Sequence, residues 1–202
     1  AGELDAAMAQ TFANVAIAFV LSVMVGFACG AIIHGLPRLR RLCDPLLASY
    51  YAVPFFVFYP LLIVIFGLNR WPLIAIGFIF GAAAMVIATL NGLDRVPRVL
   101  RKVARAHDLG WLGENLLIVL PAAAPHLFTG LKLSLAYAFI GVIAGEFILS
   151  GGGLGHAIAD AYDSFDNNTM YALMLFVVAL AILLNAALHV WEQRLLARRR
   201  RG

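Results

Sequence analysis

Lys132 and Glu146 are two ionisable side chains within or beside one long apolar stretch, where charge needs a reason. In hydrocarbon a charge demands a partner, a water-filled space or an escape to an interface. On one continuous helix the two would stand about 21 Å apart, so neither can neutralise the other and each needs its own partner or water. Lys132 has a stem long enough to snorkel. Glu146 is shorter and lies just before Gly151-Gly152-Gly153-Leu154-Gly155. It is either an exposed interfacial carboxylate or one turned into the protein. We expect it to accept hydrogen bonds from backbone donors of that glycine-rich turn and to hold a gate in shape.

Bond-breaking chemistry finds little support. No Lys-Ser/Thr pair follows the glycine-rich run, so it reads as a surface turn and not as a phosphate cradle. Ser150 with His156 or His189 would suit an intramembrane serine hydrolase, but no third orienting group is evident. The five histidines, His34, His107, His126, His156 and His189, lack ligand spacing, and no metal site is expected. Cys29 and Cys43 read as packing residues. An aromatic cluster, Tyr50, Tyr51, Phe55, Phe56, Phe58 and Tyr59, could line a path through the protein or simply pack; Tyr51, Phe55 and Phe58 are the path candidates.

The elements that must position these groups are membrane-spanning helices. Of 202 residues 63% are apolar and 13% charged, and several apolar runs reach the roughly 20 residues a bilayer requires. The predicted fold is all-α, a polytopic transmembrane bundle occupying residues 1–202 as a single domain. Its five spans are placed at Thr11 to Ile33, Pro45 to Leu68, Trp71 to Leu90, Leu120 to Leu149 and Met170 to Val190. Pro54 and Pro60 should kink or divide the second. The fourth is too long for one upright helix and should be tilted or broken.

Arg38, Arg40 and Arg41, then Arg95 to Arg105, then Arg194 to Arg201 follow the first, third and fifth spans. The alternate segments carry Glu3 and Asp5, Arg70 alone, and Asp160, Asp163 and Asp166. Basic loops stay cytoplasmic, so the N-terminus is expected outside and the C-terminus inside, with membrane lipid and not nucleic acid accounting for the net charge of +4. Small residues at four-residue spacing, Ser22-Gly26-Gly30, Gly77-Gly81 and Gly141-Gly145, would let helices approach closely, within the chain or between subunits.

The cytoplasmic loop 91–119 is the most informative segment. Residues Leu100 to Ala106 form a short basic helix expected to end at Gly110, followed by re-entry at Leu120-Pro121. Solvated basic helix is one reading and a docking element for a soluble partner the other. Ala104-Arg105-Ala106, Gly110 and Leu120-Pro121 resemble the EAA loop of membrane subunits of binding-protein-dependent ATP-binding-cassette importers. Ala104 replaces the pattern's Glu, and the interval to Leu120 is two residues short. Gly2-Glu3-Leu4, Arg40 to Leu46 with its Asp-Pro, Pro54, Pro60-Leu61, Phe66-Gly67, Thr129 to Lys132, Gly141 to Phe147 and Gly153-Leu154-Gly155 are similar to the taurine, aliphatic sulfonate and nitrate permease branch. Members of that branch carry a further span before this lead-in, which would make six.

The resemblance implies a type I importer permease fold in the bacterial inner membrane. Its partners would be a second copy, a cytoplasmic ATPase dimer that holds the ATP and Mg, and a periplasmic solute-binding protein delivering a small anion. The chain itself would hold no cofactor and catalyse nothing. Ala104, Arg105, Ala106, His107, Asp108 and Gly110 are the implied coupling residues. A secondary transporter or channel is the alternative class, with the intramembrane hydrolase behind it.

Overall fold

Long apolar runs satisfy their backbone donors and acceptors internally only as helices or closed barrels. In the computed structural model, which describes residues 2–149 and 151–199, every regular element is helical. The order is α1 (Gly2–Gly35), α2 (Pro37–Ser49), two short 3-10 turns (Tyr50–Ala52 and Phe55–Phe58), α3 (Tyr59–Phe66), α4 (Trp71–Asp94), α5 (Arg98–Ala106), α6 (Trp111–Glu114), a π-helical turn (Asn115–Val119), α7 (Leu120–Leu149), α8 (Leu154–Asp163) and α9 (Asn167–Arg199).

Among the described residues four helical stretches are long and apolar enough to cross a bilayer: Gly2–Gly35, Trp71–Asp94, Trp111–Ile148 and Asn167–Leu195. The second expected span differs from its prediction, and its prolines explain why. Pro45 falls inside α2, which starts eight residues earlier and buries none of its side chains. Val53, forced out of the helical region by Pro54, is extended at φ −83°, ψ 119°. Pro60 does not divide a helix but occupies the first turn of α3, where its missing N–H costs no bond. The apolar helical remnant is Phe55–Phe66. Of the two alternatives for the fourth span, a break is not seen: α7 is unbroken through Pro125, and the π-helical turn joins it to α6.

The core is the three-helix contact of α1, α4 and α7, and the small residues build it. An added Cβ on Gly141 would lie 2.8 Å from the Gly77 Cα, one on Gly81 2.5 Å from the Ser22 hydroxyl, and one on Gly26 2.7 Å from the Met85 Cβ. The four-residue stripes therefore pack within the chain. At such separations hydroxyls reach neighbouring backbones: Ser22 donates to the Phe78 carbonyl at 3.0 Å and Ser134 to the Gly81 carbonyl at 2.8 Å. Such bonds contribute about 0.6 kcal/mol each in membrane proteins. Val15, Ala18, Ile74, Ala138, Phe139 and Val142 fill the space between. Around this core α3 lies on α4 through Tyr59, Leu73 and Ile76. Helix α9 is peripheral, with Leu175, Ile182 and Leu183 exposed as lipid-facing residues would be.

At the end of the bundle opposite the glycine-rich turn, Arg40 of α2 grips Asp94 of α4 with both terminal nitrogens, at 3.3 and 2.8 Å, and donates to Asp44 at 2.8 Å. His34 of α1 meets the same Asp94 carboxylate at 3.1 Å. The Asp94 hydrogen bond, outweighing partial desolvation, raises the Arg40 guanidinium above its ordinary value.

Candidate functional site

Glu146 lies in the last turn of α7 and is fully buried. The glycine-rich connection to α8 folds back over it. Its Oε2 accepts from the Thr11 hydroxyl at 2.7 Å and from the Gly155 N–H at 3.2 Å, and its Oε1 accepts from the Asn14 amide at 3.4 Å. Thr11 in turn accepts from the Leu154 N–H at 2.8 Å. Of the two readings left open by the sequence, the carboxylate is the one turned inward, and it takes a backbone donor of the turn as expected.

The glycines make this closure possible. Gly153 is at φ +99°, and a Cβ there would collide with the Glu146 carboxyl group; a Cβ on Gly155 would collide with the Ile143 carbonyl oxygen and the Glu146 Cβ. Two helices and a turn thus converge on one carboxylate. Thr11 and Asn14 were missed by sequence reasoning. Their signal was present, because two polar residues three apart in an apolar helix share one face.

Lys132 pairs with Glu192 of α9 at 2.7 Å, and the same carboxylate oxygen lies 3.4 Å from His189. Phe128 and Trp191 meet edge to face beside this pair at 5.8 Å. Sequence reasoning gave Lys132 no named partner, since Glu192 stands beyond the last apolar run. His156 is engaged by Asp160 at 3.2 Å, and Ser150 lies outside the described residues.

The aromatic candidates are split. Phe55 packs on Tyr50 at 4.9 Å and edge-on against Phe80 at 5.3 Å, whereas Phe58 is 44% exposed. Phe80 continues to Tyr137 at 6.4 Å, an extension across α4 to α7 that the sequence did not reveal. The Tyr51 side chain lies outside the described residues.

In the basic loop, α5 ends differently from the expectation. Asp108 at φ +50° takes the left-handed position, with the Leu109 N–H reaching back to the Ala104 carbonyl at 3.0 Å, while Gly110 in extended conformation precedes α6. Ala104 is fully buried, and Ala106, His107, Asp108 and Gly110 are exposed. The Arg105 side chain lies outside the described residues.

The chain is similar to the nitrate import permease protein NrtB of Leptolyngbya laminosa, at 28% identity over 89% of this chain and 64% of that protein. It is also similar to the putative aliphatic sulfonates transport permease protein SsuC of Bacillus subtilis, at 29% identity over 96% of this chain and 71% of that protein, and to the taurine transport system permease protein TauC of Escherichia coli, at 26% over 93% and 68%. It spans about two thirds of the length of these relatives. Its fold matches a chain of the MetNI methionine ABC transporter solved in inward-facing conformations, with a TM-score of 0.79 and 19% identity over 95% of both chains. Residues 8–202 match the family described as the binding-protein-dependent transport system inner membrane component, and the chain belongs to that family.

Proposed function

We propose that this chain is the permease subunit of an ATP-driven importer, one of two copies around the translocation path, for a small oxyanion of the nitrate or sulfonate kind. The observation that carries the reading is the family match over residues 8–202. The printed activities of the relatives, nitrate, aliphatic sulfonate and taurine transport, support the substrate class. A separate cytoplasmic ATPase supplies the energy and a solute-binding protein delivers the substrate.

In this reading the broken segment 50–66 belongs to the second of five crossings in chain order, since its apolar helical part, Phe55–Phe66, is too short to span alone. The basic loops face the cytoplasm, as their Lys and Arg content supports. The exposed end of α5, with Ala106, His107, Asp108 and Gly110, docks in the ATPase, and buried Ala104 anchors that helix to the permease. Closure of the ATPase dimer around nucleotide then moves the loop and shifts the permease between inward-open and outward-open states. Glu146 contacts no solute. It holds the outer turn closed over α1 and α7.

The test is uptake of labelled nitrate or taurine into vesicles holding the full-length permease with its cognate ATPase and binding protein. ATP-dependent accumulation is expected; accumulation driven by an ion gradient without ATP would instead favour a secondary transporter.

A further inference from the structure

Gln10 stands between two cavities at the end of the bundle that carries the glycine-rich turn. The larger, of about 800 Å³, is lined by Glu3, Asp160 and Asp166, and by His156, whose ring lies 3.2 Å from Asp160. The smaller, of about 460 Å³, is lined by Tyr59, Asn69, Arg70, Leu73 and Gly151, and by no carboxylate. Charge is therefore divided by sign across Gln10: carboxylates on one side, one guanidinium on the other.

Tyr59 gives a second, independent observation. Its side chain is 4% exposed, yet its hydroxyl has no hydrogen-bond partner among the described residues. No described side-chain nitrogen or oxygen that is sealed from solvent lacks a partner, so this hydroxyl reaches accessible space, and Tyr59 lines the smaller cavity. A donor buried this deeply is stable only if a water or ligand oxygen completes it. Arg70 adds a planar fork of donors suited to the oxygens of an oxyanion. The Trp71 ring lies 5.6 Å from the Arg70 guanidinium carbon, and Asn69 fixes the turn by bonding the Phe66 carbonyl and the Trp71 N–H.

We propose that this cavity is a binding site for a small oxyanion, with Arg70 supplying charge and a bidentate contact, and Tyr59 and Gln10 supplying hydrogen bonds. Its place in transport, as a site the solute meets at the outer mouth before the path, rests on the importer reading above; the binding itself does not. A lipid headgroup phosphate offers the same chemistry, and the charge division favours the solute because the site is walled by protein on the α1, α3 and α4 sides and carries one cation only.

The experiment is calorimetric titration of sodium nitrate and of sodium ethanesulfonate into the full-length chain in phosphatidylcholine nanodiscs, with gluconate as background anion. Saturable binding is expected. Arg70→Ala should weaken it by about tenfold or more, the scale of one lost charge-assisted bond, with Arg70→Lys in between and Tyr59→Phe weakened measurably. Arg70 is exposed and Tyr59→Phe keeps the ring, so the variants should fold. No saturable binding by the wild type, or equal binding by Arg70→Ala, overturns the site. Binding abolished when phosphatidylglycerol is added to the nanodiscs assigns the pocket to a headgroup and overturns the solute. Normal uptake in Arg70→Ala with unchanged binding leaves the importer reading standing without the site, whereas binding without ATP-driven uptake leaves the site without the importer reading.

Discussion

Thr11 and Glu146, 135 residues apart, share a 2.7 Å hydrogen bond in which the threonine hydroxyl donates to the carboxylate while accepting from the Leu154 N–H. Glu146→Ala leaves the Asn14 amide and the Gly155 N–H without their acceptor in a sealed site. Each such orphan costs about 1–3 kcal/mol. Glu146→Gln retains one oxygen for Thr11 and Gly155, and a flip of Asn14 would present its carbonyl to the new amide. Uptake and apparent melting temperature should fall markedly for Ala and mildly for Gln. Thr11→Val should resemble Ala, because it orphans the Leu154 N–H too. Wild-type uptake in both Glu146 variants would sink the gate role.

The glycine-rich turn offers an internal control. A Cβ on Gly151 meets nothing within 4 Å, whereas on Gly155 it strikes the backbone carbonyl of Ile143 and on Gly153 it needs φ +99°. Backbone cannot yield as a side chain can. Gly155→Ala and Gly153→Ala should therefore each cost about 3 kcal/mol or more, and Gly151→Ala little. Thermal unfolding in detergent orders the three; equal melting temperatures would contradict the packing.

What the sequence shows and what it hides follow from range. Helix type and the close small-residue contacts are local or periodic, so Gly77, Gly81 and Gly141 mark close helix approaches in the sequence without saying which helices meet. The side-chain donors around Glu146 come from α1, and nothing local links Thr11 to a residue so distant. Glu192 was hidden for the same reason, lying outside the apolar run. The end of α5 was misplaced because glycine is the usual left-handed residue, and here Asp108 takes that conformation instead. Proline spoke correctly about where the second span breaks, but its effect at Pro60 depended on position within the turn.

Lys132 and Glu192 supply a charge-pair test between α7 and α9. Their side chains are 26% and 12% exposed, so the pair is largely desolvated and breaking it leaves an uncompensated charge. Lys132→Met should destabilise by about 1–3 kcal/mol, below the value for a fully buried pair. Adding Glu192→Gln to Lys132→Met should recover part of that loss, since the orphan carboxylate is then gone. A double-mutant cycle on melting temperature reads the coupling; strict additivity would mean that the contact contributes nothing.

Gly110 separates docking from folding in the basic loop. It is exposed at φ −62°, ψ 167°, which any residue adopts, and an added Cβ meets nothing within 4 Å. A bulky replacement therefore has no reason within the chain to disturb the fold, unlike one at buried Ala104. If the loop seats in a groove of the ATPase, however, Gly110→Trp obstructs that seat, and reversal of charge at the adjoining Arg105 changes its electrostatics. Both variants should insert normally, and Gly110→Trp should melt within a degree or two of the wild type, a surface change being worth about 0.5 kcal/mol or less. Both should lose most of the ATP hydrolysis that binding protein and substrate stimulate. Co-purification of the ATPase with the permease measures the docking directly and should fall in parallel. Wild-type stimulation and co-purification in both variants would remove the loop from the coupling path, because no folding defect would be available to explain the result.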